Sequence, residues 1–136
     1  GVIPSLNFRT HQAFREFLES FPEGVPFGVN LILKGNPRLE EDLEAVVERR
    51  VPLVVTSLGD PTRVVERVKA YGGVVWCDVV GLRHGRKAVE AGADALVAVA
   101  CGAAWFRPCA RGARSARTAL RKARANLSAG PARRNG

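Results

Sequence analysis

The chain has 136 residues, 46% of them hydrophobic, with a formal charge of +8, which suits one globular domain with a modest core and excludes a wholly disordered polymer. The charge is unevenly placed: residues 1–102 carry 12 Lys plus Arg against all 13 acidic residues, net −1, while residues 103–136 carry nine basic residues and no acid, net +9. A basic total ordinarily points to a polyanionic partner, and this distribution confines that reading to the tail, leaving a near-neutral body.

Along the body, two periods alternate. VIPSL is a short apolar run, and Phe14, Phe17, Leu18 and Phe21 then recur at i, i+3, i+4 and i+7, which places them on one helical face. Thr10 is suited to cap that helix. PFGVNLIL is a continuous apolar run of strand length, and Asn36-Pro37 follows as a cap with proline at the first helical position, where its lack of an N–H is tolerated. Leu39, Leu43, Val46 and Val47 supply the next buried stripe. PLVVTSL is a strand, Asp60-Pro61 the next helix start, and Val64, Val65 and Val68 the next stripe. GVVWCDVV and ALVAVA repeat the pattern around a helix over Leu82–Glu90 that ends at Gly92. The repeating unit is a short βα step of roughly twenty to twenty-five residues.

Strands that are apolar along their whole length and joined by helices predict a parallel sheet covered by helices, because parallel neighbours need helical crossovers. A closed (β/α)8 barrel and an open doubly wound sheet compete. The even connector length favours an α/β architecture of the barrel kind, a partial (β/α)8 TIM barrel with about five parallel strands, too few to close a barrel.

The three cysteines, Cys77, Cys101 and Cys109, form no CxxC pair, and with two histidines in the chain a metal site is not expected. An odd cysteine count without a framework fits a reducing compartment. The first residues, GVIPSLNFRT, lack the features of a signal peptide, and no apolar run is long enough to span a bilayer. The expectation is a soluble, cytoplasmic protein. The start at Gly1 and not Met fits a chain that begins inside a longer one, or one whose Met is removed by processing.

In either architecture the functional residues gather at the carboxyl ends of the strands. The polar residues there are Asn7, Asn30, Thr56-Ser57-Leu58-Gly59, Asp78 and Cys101-Gly102. Asn30 lies in an apolar strand, where an unpaired amide costs about 1–3 kcal/mol. Either a neighbouring group in the barrel interior or a ligand must bond it. Asp78, a carboxylate among valines, is either paired, with Lys34 or Arg83 as candidates, or set for a ligand. Ser57-Leu58-Gly59-Asp60 precedes a helix and reads as an anion-holding turn or an ordinary capped one. His84, between Arg83 and Arg86 at a helix start, reads as solvated, and His11 carries still less information.

Taken together, FGVNLIL followed by NPRLE, VPLVVTSLG and YGGVVWCDVVGLRHGRKAVEAGADALVAVACGA resemble the nitronate monooxygenases, formerly 2-nitropropane dioxygenases, which are FMN-dependent TIM-barrel oxidoreductases. The resemblance covers residues 1–103 in the family's order and spacing. It implies that the chain begins near the second barrel strand and runs through the sixth, with a strand and helix carrying part of the flavin loop ahead of it. It further implies FMN as cofactor, with Asn30, Ser57, Gly59, Asp78 and Gly102 at the cofactor. The substrates it implies are an alkyl nitronate and O2. The flavin carries the redox chemistry, while the protein supplies placement and a base.

After ACGA the family continues Gly-Gly-His-x-Gly, the histidine being its base, whereas this chain reads Ala104-Trp105-Phe106-Arg107 and holds no later histidine. No catalytic residue is therefore assigned, and activity is expected to be impaired, the alternative being an inactive barrel fragment. The Gly-rich loops that hold the FMN phosphate, after the seventh and eighth strands, are also not present. For residues 104–136, a basic, partly helical or disordered tail, two readings stay open. Arg107, Arg111, Arg114, Arg121 and Arg124 would line one side of a helix and could contact the phosphates of a nucleic acid. Alternatively, the tail is an out-of-frame translation of a GC-rich gene: Ala, Arg, Gly and Pro make up 23 of residues 103–136 against 35 of residues 1–102. That compositional break favours the second. A partial barrel would leave open strand edges at VIPSL and ALVAVA, inviting self-association.

Overall fold

The structure, a computed structural model, describes residues 1–22, 24–100 and 103–108. Strands β1 (Val2–Pro4), β2 (Gly28–Ile32), β3 (Leu53–Ser57), β4 (Val74–Val79) and β5 (Ala95–Ala100) alternate with helices α1 (His11–Ser20), α2 (Leu39–Glu48), α3 (Thr62–Ala70) and α4 (Leu82–Glu90). A 3-10 turn, Ser5–Asn7, lies between β1 and α1. These bounds follow the sequence periods closely, α4 residue for residue.

The helix starts form as their capping residues dictate. The Thr10 hydroxyl accepts from the Ala13 N–H at 3.1 Å. Asn36 Oδ1 accepts from the Arg38 N–H at 3.0 Å, and Asp60 Oδ1 accepts from the Thr62 N–H at 3.0 Å. The last two are the same device, an Asx-Pro step whose side chain bonds the amide two residues on. The helices themselves begin at Leu39 and Thr62 with Arg38 and Pro61 as N-caps, so neither proline takes the first helical position expected from the sequence. At the other end of α4, Gly92 takes φ of 91°, a left-handed conformation that costs a side-chain-bearing residue about 1–2 kcal/mol.

The strands lie side by side in chain order, and the pairings from β1 to β5 are all parallel. A doubly wound sheet must reverse its strand order at a switch point. No reversal occurs among the described strands, so the architecture is a portion of an α/β barrel.

Register separates the two faces. Val54 pairs with Val29 on one side and Val75 on the other, and all three are fully buried. With Leu31 and Cys77 they meet the helical stripes of Phe14 and Leu18, Leu43 and Val46, Val64, Val65 and Val68, and Ala88 in one core. Each such Val, Leu or Phe contributes about 1.5–3 kcal/mol by leaving water. Phe8, Phe14, Phe17, Phe21 and Phe27 extend this core in a run of ring contacts, the closest being Phe21 stacked on Phe27 at 4.2 Å between centroids. On the opposite face Asn30, Val55 and Trp76 are aligned across β2, β3 and β4, with Ser57 and Asp78 two residues further along. This is the barrel-interior face.

Beyond the five parallel strands, Ala103–Pro108, where the sequence places the start of a partly helical or disordered tail, forms a sixth strand, β6, antiparallel to β5 with Ala100 opposite Ala103 and Ala95 opposite Pro108. The cause is the outer edge of β5, whose row of unpaired backbone groups accepts a strand wherever the sequence permits one. The Trp-Phe step at 105 and 106 has strand propensity that the arginine pattern obscured. The edge at ALVAVA is consequently paired, and β1 and β6 stand at the two ends of the described strand order. Residues 109–136, with Cys109 and most of the arginine series, lie outside the described residues.

Candidate functional site

Three of the residues that sequence reasoning placed at strand ends meet on the interior face. Parallel strands in register carry equivalent positions to the same height, so polar residues near the carboxyl ends of β2, β3 and β4 become lateral neighbours. Asn30 Nδ2 donates to Ser57 Oγ at 2.8 Å and leans on the Val55 carbonyl oxygen at 3.4 Å. Ser57 Oγ donates in turn to Asp78 Oδ2 at 2.5 Å. Asn30, Ser57 and Asp78 are each half-buried. The result is one continuous hydrogen-bonded chain across three strands.

Lys34 and Arg83, the cations considered for Asp78, are both exposed, and the partner found is the Ser57 hydroxyl. A short O–H···O⁻ bond of this kind is charge-assisted and stronger than a neutral pair. For Asn30 the interior-partner alternative is realised, without using its carbonyl oxygen.

Gly59 sits just beyond Ser57 with φ of 154°, and a Cβ there would lie 2.7 Å from Leu33 Cβ. Its role in the structure is to let the loop after β3 pass close over the end of β2, and it takes no part in the hydrogen-bonded chain. Leu58 before it adopts φ of 56° and is 62% exposed. Around the same rim Val80 is 64%, Leu82 84% and Val99 44% exposed. The polar chain is thus bordered by apolar side chains at the mouths of β3, β4 and β5. Gly102, assigned with these residues from the resemblance, lies outside the described residues.

The side chains of the turn Ser57–Asp60 bond beyond it, Ser57 to Asn30 and Asp78 and Asp60 to Thr62. Asp60 accepts from both the Thr62 hydroxyl, at 2.6 Å, and the Thr62 amide. These bonds hold its carboxyl below the usual carboxylate range, the hydroxyl contributing most. His84 is exposed on α4, as expected of a solvated residue.

His11 is the residue that sequence reasoning undervalued. Its Nδ1 lies 3.1 Å from Oδ1 of Asp42, a fully buried carboxylate in the first turn of α2. Arg38 approaches the other carboxylate oxygen at 3.9 Å and donates from Nη2 to the Phe8 carbonyl oxygen at 3.0 Å. The cluster ties the segment after β1 to the start of α2, near the same carboxyl-end rim but on the helical side of the sheet. Its sequence signal was an acid three residues after Leu39, inside the apolar stripe. Elsewhere Tyr71 donates to the Val51 carbonyl oxygen at 2.8 Å, and burial pushes its phenol up. Lys69 pairs with Asp94, which also accepts from the Val75 N–H at 2.8 Å. These contacts fix the helix-to-strand joints. No group of three or more metal-ligating side chains occurs among the described residues, and none of their helices is long and apolar enough to cross a membrane.

No protein-family model matches the sequence, and no curated protein does. Solved structures similar to the chain include FabK from Thermotoga maritima, at 32% identity and a TM-score of 0.54, over 65% of this chain and 27% of that one. A point mutant of the same FabK aligns at 32% identity and a TM-score of 0.55, over 65% of this chain and 29% of that one. The chain thus spans less than a third of the length of the structures it matches. At this identity the shared arrangement extends the barrel reading of the sheet from topology to a specific known barrel.

Proposed function

We propose that this chain is a portion of a flavin-dependent oxidoreductase barrel, with Asn30, Ser57 and Asp78 facing the flavin ring. The likeness to FabK supports the flavin oxidoreductase reading. The nitronate monooxygenase assignment rests on the sequence motifs. The single observation that carries the proposal is the hydrogen-bonded chain Asn30–Ser57–Asp78 at the carboxyl ends of three adjacent parallel strands, the position at which such barrels bind ligands.

The residues present fit a flavin ring. Asn30 Oδ1 and Asp78 Oδ1 make no hydrogen bond among the described residues, which leaves two acceptors for ring N–H groups. The exposed side chains of Leu58, Val80 and Leu82 provide apolar surface that a flat ring can cover. Bound there, a flavin supplies the electron transfer that no side chain provides. The chain's own residues orient the ring edge and exclude water from the rim.

The finer proposal is oxidation of alkyl nitronates with O2. Because Ala104-Trp105-Phe106 stand where the resembled motif has Gly-Gly-His, the substrate accepted is the preformed nitronate, not the neutral nitroalkane whose proton a base would have to remove. Fluorescence titration of FMN with the full chain, followed by oxygen uptake on ethyl nitronate and on nitroethane, tests both levels. Quenching of the flavin on binding, with uptake on the nitronate alone, is the expected result. Unaltered flavin emission at saturating protein overturns the flavin reading, and equal rates on both substrates overturn the nitronate preference.

A further inference from the structure

The proton count along Asn30, Ser57 and Asp78 fixes a direction. A serine hydroxyl has one proton, and the Asp78 carboxylate takes it at 2.5 Å. Ser57 Oγ can then only accept from its other neighbour, so Asn30 must turn its amide nitrogen toward it, as it does at 2.8 Å. The Nδ2 group also leans on the Val55 carbonyl oxygen. An amide whose oxygen and nitrogen could otherwise exchange places by a simple flip is held in one orientation by a carboxylate two links away, aided by the longer Val55 bond, with its oxygen left for a ligand.

We propose that Ser57 and Asp78 are positioning residues that hold Asn30 with its carbonyl oxygen toward the ligand, so that the site selects the hydrogen-bond-donating N3–H edge of an isoalloxazine ring. The inference rests on the flavin reading above and extends it to the part of the ring that is read. A ring whose N3 carries a methyl group in place of the proton leaves the Asn30 oxygen unpaired and crowds it. A site built to hydrogen-bond one group discriminates strongly against an analogue lacking it.

The test uses the full chain and two phosphate-free rings, lumiflavin and 3-methyllumiflavin, titrated by flavin fluorescence. The native protein is expected to bind lumiflavin about tenfold or more tightly than its N3-methyl analogue. In D78N the new amide can donate to Ser57 Oγ, which releases the hydroxyl proton toward Asn30 and frees the Asn30 amide to turn. The expected ratio falls severalfold, the long bond to the Val55 carbonyl oxygen alone then favouring the original orientation, and S57A behaves likewise. S57T keeps the hydroxyl and keeps the ratio. Circular dichroism establishes that each variant is folded, and if S57A does not fold, the contrast between S57T and D78N decides the matter. Equal binding of the two rings by the native protein overturns this inference while leaving the flavin reading intact. Retention of the full ratio in D78N overturns the role given to Asp78. Binding of neither ring overturns the flavin reading and this inference with it.

Discussion

Replacement of Asp42 by Ala is the most informative perturbation of the fold. Asp42 is fully buried, whereas the side chains it holds, His11 and Arg38, are 23% and 18% exposed. Its bond to His11, at 3.1 Å, is one to a charged acceptor, a class that contributes about 1.5–3 kcal/mol. At 3.9 Å the Arg38 contribution is weaker, and Arg38 keeps its bond to the Phe8 carbonyl oxygen after the change. It would nevertheless stand largely buried without its counter-charge. Loss of a carboxylate from the first turn of α2 removes about 0.3–1 kcal/mol more. Together these give about 3 kcal/mol, at the lower end of what breaking a buried ion pair costs. For a domain of this size the melting temperature should fall by about 12–24 °C. Glu41, exposed in the same turn, is the control, since E41A loses only the helix-dipole contribution. Thermal unfolding followed at 222 nm checks the comparison. A fall in D42A within about 4 °C of that in E41A would refute the claim that this cluster fastens α2 to the segment after β1.

Other outcomes follow from single geometries. G59A places a Cβ against Leu33 in a backbone conformation unfavourable to L-residues, and should cost about 1–3 kcal/mol in chemical denaturation. G81A, where nothing lies within 4 Å and φ is extended, should change stability by less than about 0.5 kcal/mol. Asp60 has a folded pKa below the ordinary value of 3.8, so its ionised form is favoured by folding. Its contribution is complete above about pH 5 and is lost as pH falls through the folded pKa. The stability gap between the native protein and D60N should accordingly be constant from pH 5 to 7 and shrink on acidification, as measured by denaturant unfolding at each pH. Tyr71 is the chain's single tyrosine, and burial raises its phenol. Absorbance at 295 nm should show no phenolate at pH 10 while the protein is folded, and its appearance should coincide with unfolding.

The sequence by itself determined the elements. Phe14 and Leu18, Leu43 and Val46, and Val64, Val65 and Val68 announced three buried helix faces, because a period near 3.6 is a local property of the chain. Thr10, Asn36 and Asp60 announced the helix starts for the same reason, each bonding an amide two or three residues on. Which residues would populate the strand ends was equally legible, since a polar residue in an apolar strand stands out by composition alone. Tertiary structure decided the partners. That Asp78 bonds Ser57 and not Lys34 or Arg83, and that Ser57 in turn fixes Asn30, depends on the register of β2, β3 and β4, which brings together residues more than twenty positions apart. The pairing of His11 with Asp42 and the capture of Ala103–Pro108 as β6 have the same origin. A neighbouring helix in one case, and an unpaired strand edge in the other, supplies the bonding groups, and neither is encoded within the segment that responds to it.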